Sequence, residues 1–568
     1  MHGWRSVGLV AATLAFCLAI AGRTDCVHLD EHRYTEVSRV MAEPGGDWLV
    51  PRLNGQVYSD KPPAFFWAAA VAQRLGVELP LASFLPSVLG STIALLATFG
   101  IGRRFYGQAG GLAAMTVLAT SSEFYTFTGR ANLDAFLTGF TTLAVYFYVR
   151  GDQEAQKLGP RAKVFFALGC LSAGFGVLVK GPIALAIPAV AVVLARVLEG
   201  RTRTLLSPSW ILALALALLP AGLWLLAAGL HAGPEYLEII VFHHAVGHPL
   251  GHVDHVQPWS MYLHVYPTRF LPWTPFLLAA IAELPWPLRR PLARGDALPL
   301  AWLVGSFILL SVVPAKREHY LLPLFPGGAL LVGRLFADLC RRAPSPQNPL
   351  RLRWWLTEPL LATAGVVGLL CSLLVMAGAI AAFAGADPGP LLPASVSGKP
   401  WWVEFWKVAL VTQGQLLALS LALGFVGVIG SVATLRGATI ERRGVGLALV
   451  MAAHALFRTR ALALALEPSL ETRTFVERVG ELVGDAPLAD YGGIDFAANW
   501  VLRRDVVPWF VDPTSASDFL AKHANAYLMV MRSRLNRQGM PGGARIVLEW
   551  PRPLDDDLLL LGPASPSS

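Results

Sequence analysis

Apolar runs about as long as a bilayer is thick recur along the chain up to residue 464, and only short polar breaks separate them. A helix needs about 20 mostly apolar residues to cross the hydrocarbon layer. One soluble core cannot bury so many runs. The composition agrees, with 54% hydrophobic and 15% charged residues, whereas soluble chains are about a quarter charged. The sequence therefore predicts an all-α polytopic membrane protein.

We predict about thirteen transmembrane helices from these runs. They lie near residues 5–22, 84–102, 109–127, 132–149, 164–179, 181–198, 209–229, 267–284, 298–314, 319–338, 357–384, 405–434 and 444–464. The first run is interpreted as an uncleaved helix. A signal peptide is the alternative, because Ala19-Ile20-Ala21 resembles a small-residue cleavage site.

The basic residues outside these runs predict the orientation. Pairs such as Arg103-Arg104, Arg289-Arg290 and Arg442-Arg443 fall on alternate loops, and cytoplasmic loops carry the excess of Lys and Arg. The N-terminus is therefore predicted inside and residue 30 outside, in either interpretation of the first run. These loops account for most of the net charge of +8, so we expect no nucleic-acid partner.

The segment after the first run combines charge with stiffness. Tyr34, Val37 and Met41 recur at helical spacing, which predicts an amphipathic helix along the outer membrane surface. Farther on, Lys61 precedes Pro62 and Pro63. Proline keeps the preceding residue extended and fixes its own backbone, so the lysine is held on a rigid arm. Such a cation beside acidic groups suits a lipid phosphate.

Further charges lie at the outer ends of apolar runs, where each costs up to about 2.5–3.5 kcal/mol on insertion scales. Because these charges lie together on the outer side of the membrane, they predict a functional site there. The charged candidates outside are Asp30, Glu31, Arg33, Asp60, Lys61, Arg130, Asp134, Lys180, Arg269, Lys316 and Arg317. The alternatives are that Asp30 caps a helix and that the lysines extend to lipid head groups.

These residues carry a family resemblance. Asp30-Glu-His-Arg-Tyr34, followed by Tyr58-Ser-Asp-Lys-Pro-Pro63, resembles the aminoarabinose transferase and protein O-mannosyltransferase group of lipid-linked glycosyltransferases, in the GT-C superfamily. Matching pieces follow in the same order: Arg130-Ala-Asn-Leu-Asp134, Val179-Lys-Gly-Pro182, Pro272-Trp273 and Lys316-Arg-Glu-His-Tyr320-Leu-Leu-Pro-Leu-Phe-Pro326. The resemblance covers nearly the whole chain.

The resemblance implies transfer of a sugar from a polyprenyl phosphate to an acceptor outside the inner membrane. Asp30 matches the catalytic acid of the family, Asp134 a second acidic residue near the site, and Lys61 the lysine that binds the donor phosphate. The further phosphate-binding candidates are Arg130, Lys180, Lys316 and Arg317, and the supporting residues are Glu31, Arg33, Tyr34, Asp60 and Tyr320.

Asp60 departs from the Glu that is common among the aminoarabinose transferases, where it can hold a metal with histidines of a later loop. Here His243 and His244 are the candidate ligands beside Asp60. No cofactor is certain, a divalent metal being the one candidate, and a plain polar surface is the alternative for the histidine-rich loop.

The reaction also follows from the residues. A sugar–phosphate bond carries its own leaving group, so the site must neutralise phosphate charge and accept the acceptor's proton. A single displacement would invert the anomeric centre. The acceptor remains open between lipid A, another envelope glycan and a protein hydroxyl. A lipid-linked sugar flippase or transporter is the alternative function, although no internal repeat is visible.

The character of the chain changes after residue 464. Helix and strand patterns alternate there, with strands predicted at 487–491, 506–511, 527–531 and 545–550, which predicts a small extracytoplasmic α/β domain. We therefore expect a transmembrane domain at 1–464 that includes the first outer loop at 23–83, an α/β domain at 465–560, and a disordered tail at 561–568.

Overall fold

The computed structural model describes residues 2–21, 26, 29–207, 209–241, 256–284, 291–341, 353–384, 413–461, 472–492, 496–523, 525–552 and 556–564. Seven of the described helices are long and apolar enough to cross a membrane, and two shorter helices are also apolar. The chain is a multi-pass membrane protein with a small C-terminal sheet, as predicted.

The N-terminal part of the chain is a helical bundle. Its α-helices are α1 (His2–Ile20), α2 (Leu29–Ala42), α3 (Ala64–Arg74), α4 (Leu81–Ala119), α5 (Ser122–Thr128), α6 (Leu133–Gln156), α7 (Ala162–Lys180), α8 (Ile183–Leu198), α9 (Ser209–Ala232), α10 (Pro234–Glu238), α11 (Met261–Arg269), α12 (Thr274–Ala282), α13 (Arg294–Val312), α14 (Phe325–Arg341), α15 (Arg353–Phe383), α16 (Gln413–Arg436) and α17 (Ile440–Leu456). Short 3₁₀ turns lie at Thr202–Leu206 and Glu318–Leu324.

Three predicted spans differ in detail from the observed helices. The spans predicted at 84–102 and 109–127 fall on the two parts of α4, which meet at non-helical backbone at Gly107, where φ is 84°, and the second span continues into α5. Glycine tolerates this left-handed backbone because it has no Cβ. The span predicted at 267–284 is two short helices, α11 and α12. Pro272 lies between them, and proline lacks the N–H that a continuous helix requires.

The first outer segment packs as the apolar spacing predicts. Tyr34 and Met41 of α2 are buried, and the ring of Tyr34 lies 5.7 and 5.9 Å from the rings of Phe65 and Phe66 in α3. Because α3 begins directly after the two prolines that follow Lys61, this aromatic cluster fixes the arm that carries the lysine. Between α2 and α3 lies a small hairpin, β1 (Arg52–Leu53) and β2 (Gln56–Val57).

The C-terminal residues form the expected α/β unit. It comprises α18 (Thr472–Val483), β3 (Leu488–Asp490), α19 (Ala497–Leu502), α20 (Pro513–Lys522), β4 (Tyr527–Met531), α21 (Arg532–Gln538), β5 (Ala544–Trp550) and β6 (Leu558–Pro563). The strand order is β3-β4-β6-β5, with β3 parallel to β4 and the other pairs antiparallel.

Two predictions for this domain were wrong. The boundary between domain and tail at residue 560 cuts through β6, a central strand whose residues Leu558–Leu561 are all buried; a continuous apolar run of this kind lacks the alternation typical of a half-exposed strand. The strand predicted at 506–511 is reduced to one parallel bridge between Trp509 and Asp490.

The polar face of α2 is covered by protein. Arg39 donates to Asp505 at 3.0 Å, and Trp500 donates from Nε1 to His32 Nδ1 at 3.1 Å. Glu36 on the same face is fully buried and accepts from Arg39 at 2.7 and 2.9 Å. The C-terminal domain therefore lies on the surface helix, which is less exposed than its sequence pattern predicts.

Candidate active site

An ion pair joins the ends of two bundle helices. Asn132 caps α6 by accepting from the backbone N–H groups of Asp134 and Ala135 at 2.8 and 3.2 Å, which places Asp134 in the first turn. Lys180 is the last residue of α7. Its ammonium donates to both carboxylate oxygens of Asp134, at 2.5 and 2.6 Å, and lies 3.8 Å from the centre of the Tyr320 ring.

Asp30 lies in the first turn of α2, one residue after the helix begins. Its carboxylate accepts from Arg317 at 3.0 Å and from Arg33 at 3.5 Å. The side chain is 36% exposed. Asp30 thus faces an arginine 287 residues away in sequence, which is more than capping of its own helix requires.

Lys61 is half-buried beside these groups. Its ammonium donates to the backbone oxygen of Asp60 at 3.1 Å. Burial lowers the pKa of Lys61 below its ordinary value of 10.5; Lys180 and Arg317 lower it as well, and Asp60 and Asp30 oppose them. The ammonium therefore lies in a partly desolvated place where its own charge is disfavoured until an anion joins it.

We call these residues together the Asp30 cluster. Its members are Asp30, Arg33, Asp60, Lys61, Asp134, Lys180 and Arg317. Four cations and three carboxylates give it a net charge of +1. Within the described part of the chain, the ammonium of Lys61 contacts no carboxylate, so this cation is available to an anionic ligand.

The other predicted site residues take varied positions. The Arg130 guanidinium lies 5.2 Å from the ring centre of Phe127. Tyr34 and Glu31 are buried in α2. Lys316 donates to the carbonyl oxygens of Val313 and Gln257 at 2.5 and 3.2 Å. Lys316 therefore ties down the chain just past the end of α13, and its role as a phosphate ligand stays a prediction.

The predicted metal ligands His243 and His244 lie outside the described residues. Among the residues that are described, no three side chains of His, Cys, Asp or Glu come together as a metal site. Asp60 itself belongs to the Asp30 cluster. A divalent metal at this position stays a prediction.

One residue of the site was not predicted. His319 Nε2 lies 3.7 Å from Asp134 Oδ2, and its ring packs between Phe127 and Tyr320, with centroid distances of 5.3 and 5.1 Å. The sequence does contain a signal for this residue, since His319 lies inside the motif that supplies Arg317 and Tyr320. A lone histidine in an aromatic setting has no distinctive spacing, and only the fold brings it to the Asp134 carboxylate.

A second group of charges lies at the other end of α6, about 27 Å away by helix rise. Asp152 accepts from Arg196 at 2.7 Å, from Arg201 at 3.1 Å and from Arg294 at 2.9 Å. Glu199 lies 3.0 Å from Arg201 and 3.7 Å from Arg294. We call these five residues the Asp152 cluster. They hold α6, α8 and α13 together at this end of the bundle.

Parts of this chain resemble known sequences. Residues 60–225 match the family of dolichyl-phosphate-mannose-protein mannosyltransferases. The undecaprenyl phosphate-alpha-4-amino-4-deoxy-L-arabinose arabinosyl transferase of Edwardsiella ictaluri is 31% identical over 334 residues, and that of Pectobacterium carotovorum is 29% identical over 360 residues. The alignments cover 58% and 62% of this chain and the same shares of these relatives.

Solved structures extend the similarity over the whole chain. ArnT from Cupriavidus metallidurans, bound to undecaprenyl phosphate, superposes with a TM-score of 0.68 and 18% identity, covering 99% of this chain and 98% of that one. Its apo form also gives a TM-score of 0.68, covering 100% and 99%. At this identity the match shows a shared fold. The resemblance read from the motifs is confirmed by these matches.

Proposed function

We propose that this ArnT-like chain of the GT-C superfamily is a membrane glycosyltransferase that moves a sugar from a polyprenyl phosphate to an acceptor outside the cytoplasm. The undecaprenyl phosphate named for the relatives and for one structural neighbour is the donor carrier that we infer. The acceptor is a lipid, a glycan or a protein. The Asp30 cluster then faces the periplasmic side of the inner membrane, and the basic loops face the cytoplasm.

The arrangement around Lys61 is the observation that carries this proposal. A half-buried ammonium without a carboxylate contact in the described residues lies among charges that leave a net charge of +1. One phosphodiester bears a single negative charge, so it would balance the cluster. Charge-assisted hydrogen bonds from Lys61 and Arg317 to phosphate oxygens are of the strong kind.

The reaction would be a single displacement. An acceptor oxygen attacks the anomeric carbon, the bond from that carbon to the phosphate oxygen breaks, and the phosphate leaves with the electron pair. Asp30, which is 36% exposed, takes the proton from an acceptor hydroxyl. Lys61 and Arg317 stabilise the charge that grows on the leaving phosphate. The product sugar has the inverted anomeric configuration.

Asp134 has a different role in this proposal. Both of its carboxylate oxygens already accept from Lys180, and its side chain is 4% exposed. We therefore treat Asp134 as a positioning residue, which holds the Lys180 ammonium over the Tyr320 ring until the donor phosphate arrives. It differs from Asp30, whose more exposed carboxylate can reach an acceptor.

The test is a transfer assay with purified full-length protein in detergent. The donor is labelled undecaprenyl phosphate-aminoarabinose, offered with membrane extract as the source of acceptors. We expect labelled product from the wild type and a loss of about 10²–10⁴-fold in Asp30→Asn, because a general base contributes about that much. Lys61→Ala should lose donor binding. The matched controls are Asp518→Asn and Lys522→Ala, which change exposed residues of the C-terminal domain.

Transfer that is undiminished in both Asp30→Asn and Lys61→Ala would refute the roles given to these residues. Movement of the labelled lipid across liposome membranes without formation of product would favour the transporter function. Thermal unfolding of each variant, measured in the same detergent, separates loss of chemistry from loss of fold.

A further inference from the structure

A cavity of about 850 Å³ lies between the first outer segment and the C-terminal domain. Arg33, Asn54 and Asp60 line it on one side, and Asp490, Phe496 and Trp509 line it on the other. This volume falls in the range of small-molecule sites, about 300–1,000 Å³. None of the chemistry proposed above uses the residues that the C-terminal domain contributes.

The two walls are fastened to each other at the rim. Asn54, at the turn of the hairpin, donates from Nδ2 to the Val507 carbonyl oxygen at 3.0 Å and accepts from the Val507 N–H at 2.7 Å. Asn499 donates to the same Asn54 oxygen at 3.0 Å. Reciprocal bonds of this kind hold the walls in register, so the cavity is a preformed part of the fold.

The lining combines an aromatic face with hydrogen-bonding groups. Trp509 is 56% exposed although it is a large apolar side chain. Gln56, Asp60 and Asp490 supply amide and carboxylate groups to the same lining. A sugar ring has an apolar C–H face and a rim of hydroxyls; an indole can cover the face, and these polar groups can bind the rim.

The charges that line the cavity are balanced. Arg33 and Arg534 are matched by Asp60 and Asp490, which differs from the cationic excess around Lys61. Such a lining gives no preference for a polyanion and favours a ligand that is uncharged or carries charges of both signs.

A protein acceptor is less well suited to this wall. An extended peptide commonly binds by adding a strand to an open sheet edge, and β3 is the edge strand nearest the cavity. Its outer edge is already paired, because Asp490 N–H donates to Pro508 O at 2.8 Å and Phe510 N–H donates to Asp490 O at 2.9 Å. A peptide therefore cannot add as a strand to β3 at Asp490.

The cavity reaches the proposed catalytic acid. Arg33 lines it and lies 3.5 Å from the Asp30 carboxylate, and Asp60 lines it directly before Lys61. We propose that this cavity binds the carbohydrate part of the acceptor, a glycan of balanced or zero net charge, and presents one of its hydroxyls toward Asp30. The assignment of an acceptor rests on the proposed function.

The experiment measures glycan binding without any donor. Fluorescently labelled full-length protein in detergent is applied to a printed array of bacterial envelope glycans, with and without phosphate groups, and of Ser/Thr-containing peptides. We expect retention on at least one unphosphorylated glycan. Trp509→Ala should weaken it about tenfold, the scale of one lost aromatic contact, and Asp490→Asn, which keeps the side-chain shape, should weaken it too.

The control is Trp259→Ala, which removes a somewhat more exposed tryptophan that does not line the cavity and should leave retention unchanged. Retention on peptides alone, on phosphorylated glycans alone, or equally in wild type and Trp509→Ala would overturn the inference. Lys61→Ala should still bind the glycan. If it does while its transfer of the labelled sugar is also undiminished, the proposed function fails and the glycan site stands.

Discussion

The Asp30 and Asp152 clusters have the same net charge of +1 but pair their cations differently. In the Asp152 cluster three arginines contact two carboxylates, and each arginine lies within 3.1 Å of a carboxylate oxygen. In the Asp30 cluster two of the four cations are lysines, and Lys61 contacts a carbonyl oxygen only, among the residues that the structure describes. Net charge alone therefore does not separate a structural cluster from a candidate site.

The choice of cation does separate them. Arginine presents a rigid, planar set of donors that suits a permanent bond to a carboxylate. Lysine is a compact charge on a flexible stem, which suits a phosphate that must arrive and leave. The difference predicts that removing charge from the Asp152 cluster damages the fold, and that removing it from Lys61 damages only binding.

The largest effect is expected from Asp152→Asn. The change leaves Arg196, Arg201 and Arg294 facing an uncharged amide at the meeting point of three helices. Breaking a buried pair in this way costs about 3–5 kcal/mol of unfolding free energy. Thermal unfolding of the purified protein in detergent measures it. Asp518→Asn, at an exposed carboxylate, should change the midpoint little. Equal midpoints of thermal unfolding for the two variants would show that the Asp152 cluster does not stabilise the fold.

Lys61→Met should behave in the opposite way. The variant loses one cation from the phosphate site, and we expect binding of undecaprenyl phosphate to fall about 100-fold, the effect of one lost charge-stabilising donor. Its unfolding free energy should not fall. Because burial lowers the pKa of Lys61 in the folded protein, the charged form is disfavoured there, and a neutral isostere removes that penalty at neutral pH. Binding and unfolding are measured on the same preparation.

A loss of stability in Lys61→Met comparable to that of Asp152→Asn would remove the distinction between the two clusters. Lys522→Met is the matched control, since Lys522 is an exposed lysine of α20. It should bind undecaprenyl phosphate as the wild type does.

The membrane class, most of the long helices and the Asp30 cluster were predictable from the sequence. Apolar length decides the class, and Asp30, Lys61, Asp134, Lys180 and Arg317 all stand in motifs with an ordered resemblance. Their pairing was not predictable. Whether Lys180 contacts Asp134 or a lipid head group depends on how α6 and α7 pack, and no local pattern reports that distance.

Two departures from the expected surroundings have the same origin. The sequence pattern of α2 predicts a water-exposed polar face, yet Glu36 and Arg39 on that face are buried under the C-terminal domain. Lys316 stands in a dense motif beside Arg317, but its ammonium binds carbonyl oxygens past the end of α13. In both cases a partner distant in sequence contributes to the surroundings, Asp505 for Arg39 and Gln257 for Lys316, and no local pattern reports that contact.

Asp134→Asn sharpens the comparison inside the Asp30 cluster. The variant frees Lys180 from its carboxylate and raises the net charge of the cluster to +2. If Asp134 only positions Lys180, undecaprenyl phosphate should bind more tightly, by about tenfold for one added charge at short range, and turnover should fall because the product is retained. Equilibrium binding and turnover are measured separately. Unchanged binding together with lost turnover would indicate instead that Asp134 takes part in proton transfer.

The smallest effect is expected from pH. The lowered pKa of Lys61 means that its ammonium loses its proton at a lower pH than an ordinary lysine, whose pKa is 10.5. Between the lowered pKa of Lys61 in the folded protein and its ordinary value in the unfolded chain, the unfolded chain binds more protons than the folded one. The free energy of unfolding therefore rises with pH over this interval. Binding of undecaprenyl phosphate should fall over the same interval, by at most about tenfold per pH unit, because the phosphate needs the charged form.

The opposite directions of these two trends identify Lys61 as their cause. In Lys61→Arg the cation stays protonated throughout, since the pKa of arginine is above about 12, and both trends should flatten. The Asp152 cluster contains arginine as its only cation, so its contribution to stability should not change over this interval. Phosphate affinity that falls with the same slope in Lys61→Arg would assign the titration to another group, and Lys180, the second lysine of the Asp30 cluster, would then be the residue to replace.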